Sequence, residues 1–360
     1  MITPEEYGAK GDGVTDDTKA VNNALIAGVG GEVKFSPNKT YSLTSLEIPS
    51  DSTITAYGTT FKLIDNGLTT VNLLNEGIIL RPGVYLNGKK NIKIYGMKVD
   101  GNRNADAVRA YYRHCFYIYD SEDIWLEDCE GFNCEGFAFG TCSSGTHTID
   151  DPYNADLPTK RITFKNCKGH DTWLNSTRKP FVFEIARAEY VNLINCEGQL
   201  GQESIFRTHR ANHIHFSGCT AKNVQAGYIG ECYDIFKSAD VTIDGKCYAE
   251  SLAADGGNGS CYFLYDNVDL ALKDCTALGV TALRVKPALG TESVYNYDIQ
   301  DNTFNGDVAV YVNHGDNLKI INNAITSGKG AITSEPHPDG GVCDFTNMIL
   351  SPNTINGKEI

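Results

Sequence analysis

Glu184, Arg207 and Asp234 each stand seven residues ahead of a recurring six-residue pattern, an offset that lines carboxylate, guanidinium and carboxylate along one face. These are the residue types that cleavage of a glycosidic bond needs. One carboxylic acid protonates the glycosidic oxygen while a second carboxylate activates water or attacks the sugar. An arginine between them holds a substrate carboxylate or drives the two acidities apart. If successive patterns are one stacked coil apart, Glu184 and Asp234 are separated by about 9–10 Å of backbone rise, near or just beyond the long end of the inverting range. The same offset finds Tyr117 and Phe263, candidate platforms on which a sugar ring could stack.

Four residues ahead of the pattern stand Arg187, Arg210 and Lys237, a parallel basic row suited to binding an anionic substrate. Glu203 lies just before Arg207 and can replace either carboxylate, and His209 faces the same way as Arg207 if the stretch is a strand. A lyase would use Arg207 or His209 to take the proton beside a uronate carboxylate, with Arg210 or Lys237 neutralising the enolate. His170, within Gly169-His170-Asp171, reads as an exposed loop histidine. The plain alternative for the whole set is an ion-pair ladder, which stacked coils produce wherever charges align.

The pattern that positions these residues starts at Ile92, Ile124, Ile162, Val191, Ile214, Val241, Leu270, Tyr297 and Leu318, at spacings of 32, 38, 29, 23, 27, 29, 27 and 21 residues. Its first and third residues are apolar, the alternation of a strand with one buried face. Its fifth is always Asn, Asp or Gly, the residues that enter the left-handed region most cheaply, so a corner is expected there. Its sixth is Cys five times, Asn twice, Met once and, in the Val241 unit, Lys246. Small, soft side chains at one station predict an internal ladder, with the late asparagines forming an amide stack. An irregular but bounded period is the mark of coils stacked with variable loops, a parallel β-helix.

Composition agrees. The 360-residue chain carries 36 Gly and a formal net charge of -14, with no basic block, which argues against nucleic-acid binding. No apolar run is long enough to span a membrane, and no signal peptide is expected, since Met1-Ile-Thr-Pro4 leads straight into structured sequence. The 12 cysteines are expected to be mostly reduced and buried, after folding in a reducing cytoplasm. No Cys-x-x-Cys pair, histidine spacing or compact acidic string suggests zinc or calcium, and no cofactor is expected.

Residues 1–32 read as a lead-in with one capping helix. Thr15 or Asp16 would cap it, and Ala20, Val21, Ala24 and Leu25 would form its apolar stripe over the open end of the solenoid. The stretch Tyr7-Gly-Ala-Lys-Gly-Asp-Gly-Val-Thr-Asp-Asp-Thr18, continuing to Leu25 and followed by Gly30-Gly-Glu-Val33-Lys-Phe35, resembles the N-terminal signature of the pectate-lyase-like β-helix superfamily, which includes phage tailspike depolymerases. The motif covers about 30 residues, and the coil frame extends the resemblance over nearly the whole chain. It implies an all-β, single-stranded, right-handed parallel β-helix, the hand that crossover connections also favour. Of the polygalacturonase branch's signatures only Arg-Ile-Lys has a counterpart, Arg284-Val-Lys286.

Coils are expected over 33–323, with insertions at 100–109, 140–160 and 171–179, and a terminal cap over 324–360. The resemblance implies a polysaccharide depolymerase, a glycoside hydrolase in first place, acting on a bacterial surface or extracellular glycan. It also implies a homotrimer located in a virion tail or released outside the cell, without membrane insertion. The alternatives are a polysaccharide lyase acting on a uronate-containing glycan and a non-catalytic carbohydrate-binding tail fibre.

Overall fold

A computed structural model describes residues 1–65, 69–73, 77–103, 112–145, 157–173, 180–224, 230–251, 259–286, 295–312, 315–333, 345–346 and 348–359. The fold is a right-handed parallel β-helix with one N-terminal α-helix. The chain divides into two compact units, Met1–Thr146 with Asp156–Val191, and His147–Ala155 with Asn192–Ile360.

In the first unit the helix spans Thr18–Ala27 and buries Val21, Ala24 and Leu25. Its N-cap is Asp17, not the expected Thr15 or Asp16, because Asp12–Asp16 is a strand paired with Thr40–Leu43. The Asp17 carboxylate does not cap the helix. It accepts the backbone N–H groups of Lys10 and Gly11 at 2.7 and 2.9 Å, tying the lead-in to the coil. Parallel rows then build up. Ile92, Ile124 and Ile162 are register partners, and so are Val84, Phe116 and Phe139 with Phe183. Phe116, Phe139 and Phe183 stack inside at 4.8 and 4.7 Å. The excursion after residue 65 carries an antiparallel hairpin, Thr70–Leu73 with Gly77–Leu80.

The second unit repeats the scheme. Ile214, Val241, Leu270 and Tyr297 are successive partners in one row. Phe206, Tyr233 and Tyr262 stack inside it at 5.1 and 4.9 Å. The parallel ladder runs on past residue 323: Ala324–Thr333 pairs with Thr303–Val312 and then with Thr354–Ile355.

The frame's fifth position turns the chain in every unit. Gly96, Asp128, Asn166, Asn195, Gly218, Gly245, Asp274, Asp301 and Asn322 all have φ between 51° and 66°. A second corner lies just ahead of each frame start, where Asn91, Asp123, Arg161, Tyr190, His213, Asp240, Asp269, Asn296 and Asn317 have φ of 48–58°. The sixth position points inward as expected, with Met97, Cys129, Cys167, Cys196, Cys219 and Cys275 all buried. The Val241 unit differs from expectation. Gly245 and Lys246 are both left-handed, which adds one residue to the corner and puts Cys247, not Lys246, on the rung. The eleven described cysteines are buried free thiols.

The amide ladder is present and one rung longer than the frame indicates. Asn302 Nδ2 donates to Asn323 Oδ1 at 3.0 Å, and Asn323 Nδ2 donates to Asn353 Oδ1 at 3.1 Å. Insertions begin later than expected. Phe139–Cys142 and Lys168–Thr172 are strands, so 140–142 and 171–172 belong to coils, and His170 lies in a strand rather than a loop. Residues 104–109, 146–156 and 174–179 of the expected insertions lie outside the described residues.

Candidate functional site

The strand Ser204–His209 pairs in parallel with Glu231–Phe236, which pairs with Ser260–Tyr265, which pairs with Thr276–Lys286. Alternation along these strands sends Phe206, Tyr233 and Tyr262 into the core. It leaves two outward columns. One is Arg207, Asp234, Phe263 and Arg284, each the register partner of the next. The other is His209, Phe236 and Tyr265. The sequence-derived row is therefore real in the second unit for Arg207, Asp234 and Phe263, and His209 shares their face.

Rings and cations are packed together on this face. His209 stacks on Phe236 at 5.2 Å, Phe236 on Tyr265 at 4.9 Å, and Phe263 on Tyr265 at 5.5 Å. The Arg207 guanidinium lies 5.6 Å from the Phe236 ring centre, and Arg284 lies 5.9 Å from that of Phe263. Lys237 approaches Phe236 from the corner at 5.5 Å, and its ammonium is 3.9 Å from buried Asp266. Cation–π contact of this kind holds a guanidinium flat while leaving its N–H edge able to bind an anion.

Arg207 Nε lies 3.6 Å from Asp234 Oδ2. Burial pushes the Asp234 carboxyl up to about 6, the Glu203 charge pushes the same way, and Arg207 opposes both. A carboxylate that the frame does not mark completes the group. Glu231, the partner of Ser204 and 8% exposed, accepts the Ser204 hydroxyl at 3.1 Å. Burial first, then the Asp234 charge, push it up to about 8. Both carboxyls are held toward the neutral form by burial, and the Asp234 charge opposes ionisation of Glu231, so the pair gives up its protons in two separated steps.

Glu184, Tyr117, Arg187 and His170 belong to the first unit. Glu184 is buried on the strand Phe183–Ala186 opposite Gly140. Tyr117, the other partner of Gly140, is fully buried against His114 at 4.7 Å, in a cluster with Leu73 and Ile79 of the hairpin. It offers no face to a sugar, and the platform expected there is corrected. Arg187, Arg210 and Lys237 are left-handed corner residues, with φ of 44°, 53° and 49°. In the second unit the Arg210 and Lys237 backbone N–H groups bond across the corner to Phe236 O and Tyr265 O. His170 bonds Asp171 at 2.7 Å and Glu130 at 3.1 Å, and these carboxylates raise its pKa. Among the described residues no group of His, Cys, Asp and Glu is arranged to hold a metal ion.

No model of a known protein family matches the chain. It is 25% identical over 291 residues to the capsule K30/K69-specific depolymerase 1 of Klebsiella phage K5-2, an alignment covering 75% of this chain and 34% of that protein. It is 23% identical over 210 residues to the pre-neck appendage protein of Bacillus phage phi29, covering 54% of this chain and 22% of that one. The chain thus spans about a third or less of the length of these curated relatives. Among solved structures, PfbA, a surface adhesin of Streptococcus pneumoniae, superposes with a TM-score of 0.70 at 16% identity, covering 98% of this chain and 93% of that one. The mannuronan C-5 epimerase AlgE6 A-module of Azotobacter vinelandii gives 0.61 at 15%, covering 98% and 100%. The chain has the right-handed parallel β-helix fold, is similar in part of its length to a phage depolymerase and to phage pre-neck appendage proteins, and shares its fold with an adhesin and an epimerase module.

Proposed function

We propose that this chain is the glycan-recognising β-helix of a phage-tail-type protein, and that a carboxylate-bearing polysaccharide lies across the Arg207–Asp234–Phe263–Arg284 and His209–Phe236–Tyr265 columns. The observation that carries this reading is the interleaving of guanidinium groups with outward aromatic rings, Arg207 against Phe236 and Arg284 against Phe263. Sugar rings present C–H faces that stack on aromatic rings, and uronate carboxylates fit the fork of an arginine. The capsule named for the phage depolymerase and the mannuronan named for the epimerase support a glycan as the ligand. A homotrimer on a virion tail, or released from it, belongs to the same proposal.

A second reading adds cleavage, and one observation favours it: Glu231 and Asp234 are pushed to about 8 and about 6 in one buried cluster. In that reading Glu231 donates the proton to the glycosidic oxygen and Asp234 takes one from water. The acid role thus passes to Glu231 from Glu184, and Glu203 acts through its charge on both. Incubation with capsular polysaccharides and with alginate, followed by pelleting or calorimetry, reducing-end assay and ultraviolet absorbance, separates the readings. Binding that is lost in Arg207→Ala and Phe263→Ala supports recognition. Reducing ends lost in Glu231→Gln, and kept in Glu184→Gln, add hydrolysis. New absorbance from an unsaturated product moves the chemistry to a lyase with Arg207 or His209 as base. No binding to any of these glycans by the parent protein refutes the proposal.

A further inference from the structure

The first unit carries a groove that the reading above does not use. Thr53, Lys93, Trp125 and Thr163 are successive register partners in one outward column. Beside them runs a corner column, Asp51, Asn91, Asp123 and Arg161, every member left-handed with φ of 55–59°. The corner side chains are ordered by their own bonds. Asn91 Nδ2 donates to Asp51 Oδ1 at 2.8 Å, and Arg161 Nε donates to Asp123 Oδ1 at 2.7 Å. Between the columns lies a cavity of about 650 Å3, lined by these residues with Gly30 and Ile124.

Trp125 is half-buried and anchored from one side. Its Nε1–H donates to Glu127 Oε2 at 3.0 Å, and Lys165 lies 5.9 Å from the ring centre. Both anchors sit two residues further along the strand, whereas the groove opens toward Asp123 and Arg161, two residues back. A held indole beside a rim of mixed donors and acceptors suits a ligand with one apolar face and many hydroxyls. Asp51 and Asp123 are balanced by Lys93 and Arg161, so the lining carries no net charge and suits a neutral ligand. A peptide strand has no free edge to add to, because Glu122–Glu127 is paired on both sides.

We propose that this groove is a second saccharide site, taking a neutral sugar chain with one ring on Trp125 and its hydroxyls on Asn91, Asp123 and Lys93. It is independent of the Arg207 face and would give the protein two separate contacts with glycans. Two contacts with one polymer raise avidity without any new interaction at either.

The chain has two tryptophans, Trp125 and Trp173. In Trp173→Phe the fluorescence therefore reports Trp125 alone. Titration with neutral tetrasaccharides of glucose, galactose and mannose is expected to give saturable quenching with at least one of them. Asn91→Ala and Asp123→Asn should each weaken that binding about tenfold. Trp125→Ala should abolish the calorimetric signal, and Arg207→Ala should leave binding unchanged. Absence of saturable change with all three sugars overturns the proposal. Quenching that Asn91→Ala and Asp123→Asn leave untouched also overturns it, since that is contact with an exposed ring and not a built site. Loss of binding in Arg207→Ala would place the sugar on the other face, which overturns this inference while leaving the proposed function standing.

Discussion

Replacement of Glu231 by Gln should make the protein more stable, and only at high pH. Below the ordinary value of 4.5 both folded and unfolded chains hold the Glu231 proton, and the residue costs nothing. Above it the unfolded chain ionises first, while the folded chain keeps the proton until about 8. The native state therefore binds more protons across that window, and stability falls as pH rises through it. At about 1.4 kcal/mol per pH unit the loss reaches about 5 kcal/mol once both states are ionised. That figure is an upper bound, because hydration and Arg207 relax around the new charge. Gln keeps the shape and can still accept the Ser204 hydroxyl bond, but never ionises. Urea unfolding at about pH 5 and about pH 9, with m checked for constancy, measures the difference. Glu231→Gln should lie within about 1 kcal/mol of the parent at the lower pH and exceed it by about 3–5 kcal/mol at the higher. Equal pH profiles for parent and variant, or a variant weaker by the same amount throughout, would refute the argument that burial holds this carboxyl neutral.

Arg207→Ala removes the cation opposing the Asp234 shift. The Asp234 carboxyl should then titrate higher, by NMR, and glycan affinity should fall about 10–100-fold, with partial recovery in Arg207→Lys. Asn323→Ala breaks the amide ladder at its middle, leaving the Asn302 backbone N–H and Nδ2 without their Asn323 acceptor. A loss of about 2–4 kcal/mol in chemical denaturation is expected. Asp274→Val puts a β-branched residue at φ 52° and should cost about 1–2 kcal/mol. Asp274→Gly should restore most of that, which separates backbone strain from any lost side-chain bond.

How much was legible depends on which residue types a position tolerates. The fifth-position corners could be read because they admit only Asn, Asp or Gly, and the cysteine and asparagine rungs because the interior admits only small, soft groups. The preceding corner is just as regular in φ but less strict in residue type. Asn or Asp stands at six of its nine stations, and Arg161, Tyr190 and His213 interrupt the run, so the signal is weaker than at the fifth position. Arg284 joins the outward column without being counted into it. Thr276–Lys286 is one long strand, and the register passes through its pairing and not through an offset from Tyr297. Glu231 stands ten residues ahead of Val241, off the frame, and only the fold brings it beside Ser204 and Asp234. Tyr117 occupied the right column, but the hairpin that buries it has no counterpart in the repeat.

The row Ile214, Val241, Leu270 and Tyr297 keeps its register although its coils take 27, 29 and 27 residues. In this row the difference in coil length falls outside the paired strands. Change in loop length is therefore uncoupled from the fold. A loop can grow, shrink or be exchanged and shift no rung, whereas a one-residue slip within a strand would turn every side chain of that strand to the other side. Such a scaffold lets the surface that meets the outside world drift quickly while its interior stays still. A lineage whose target coat keeps altering can follow it by trading loops, without having to solve folding again.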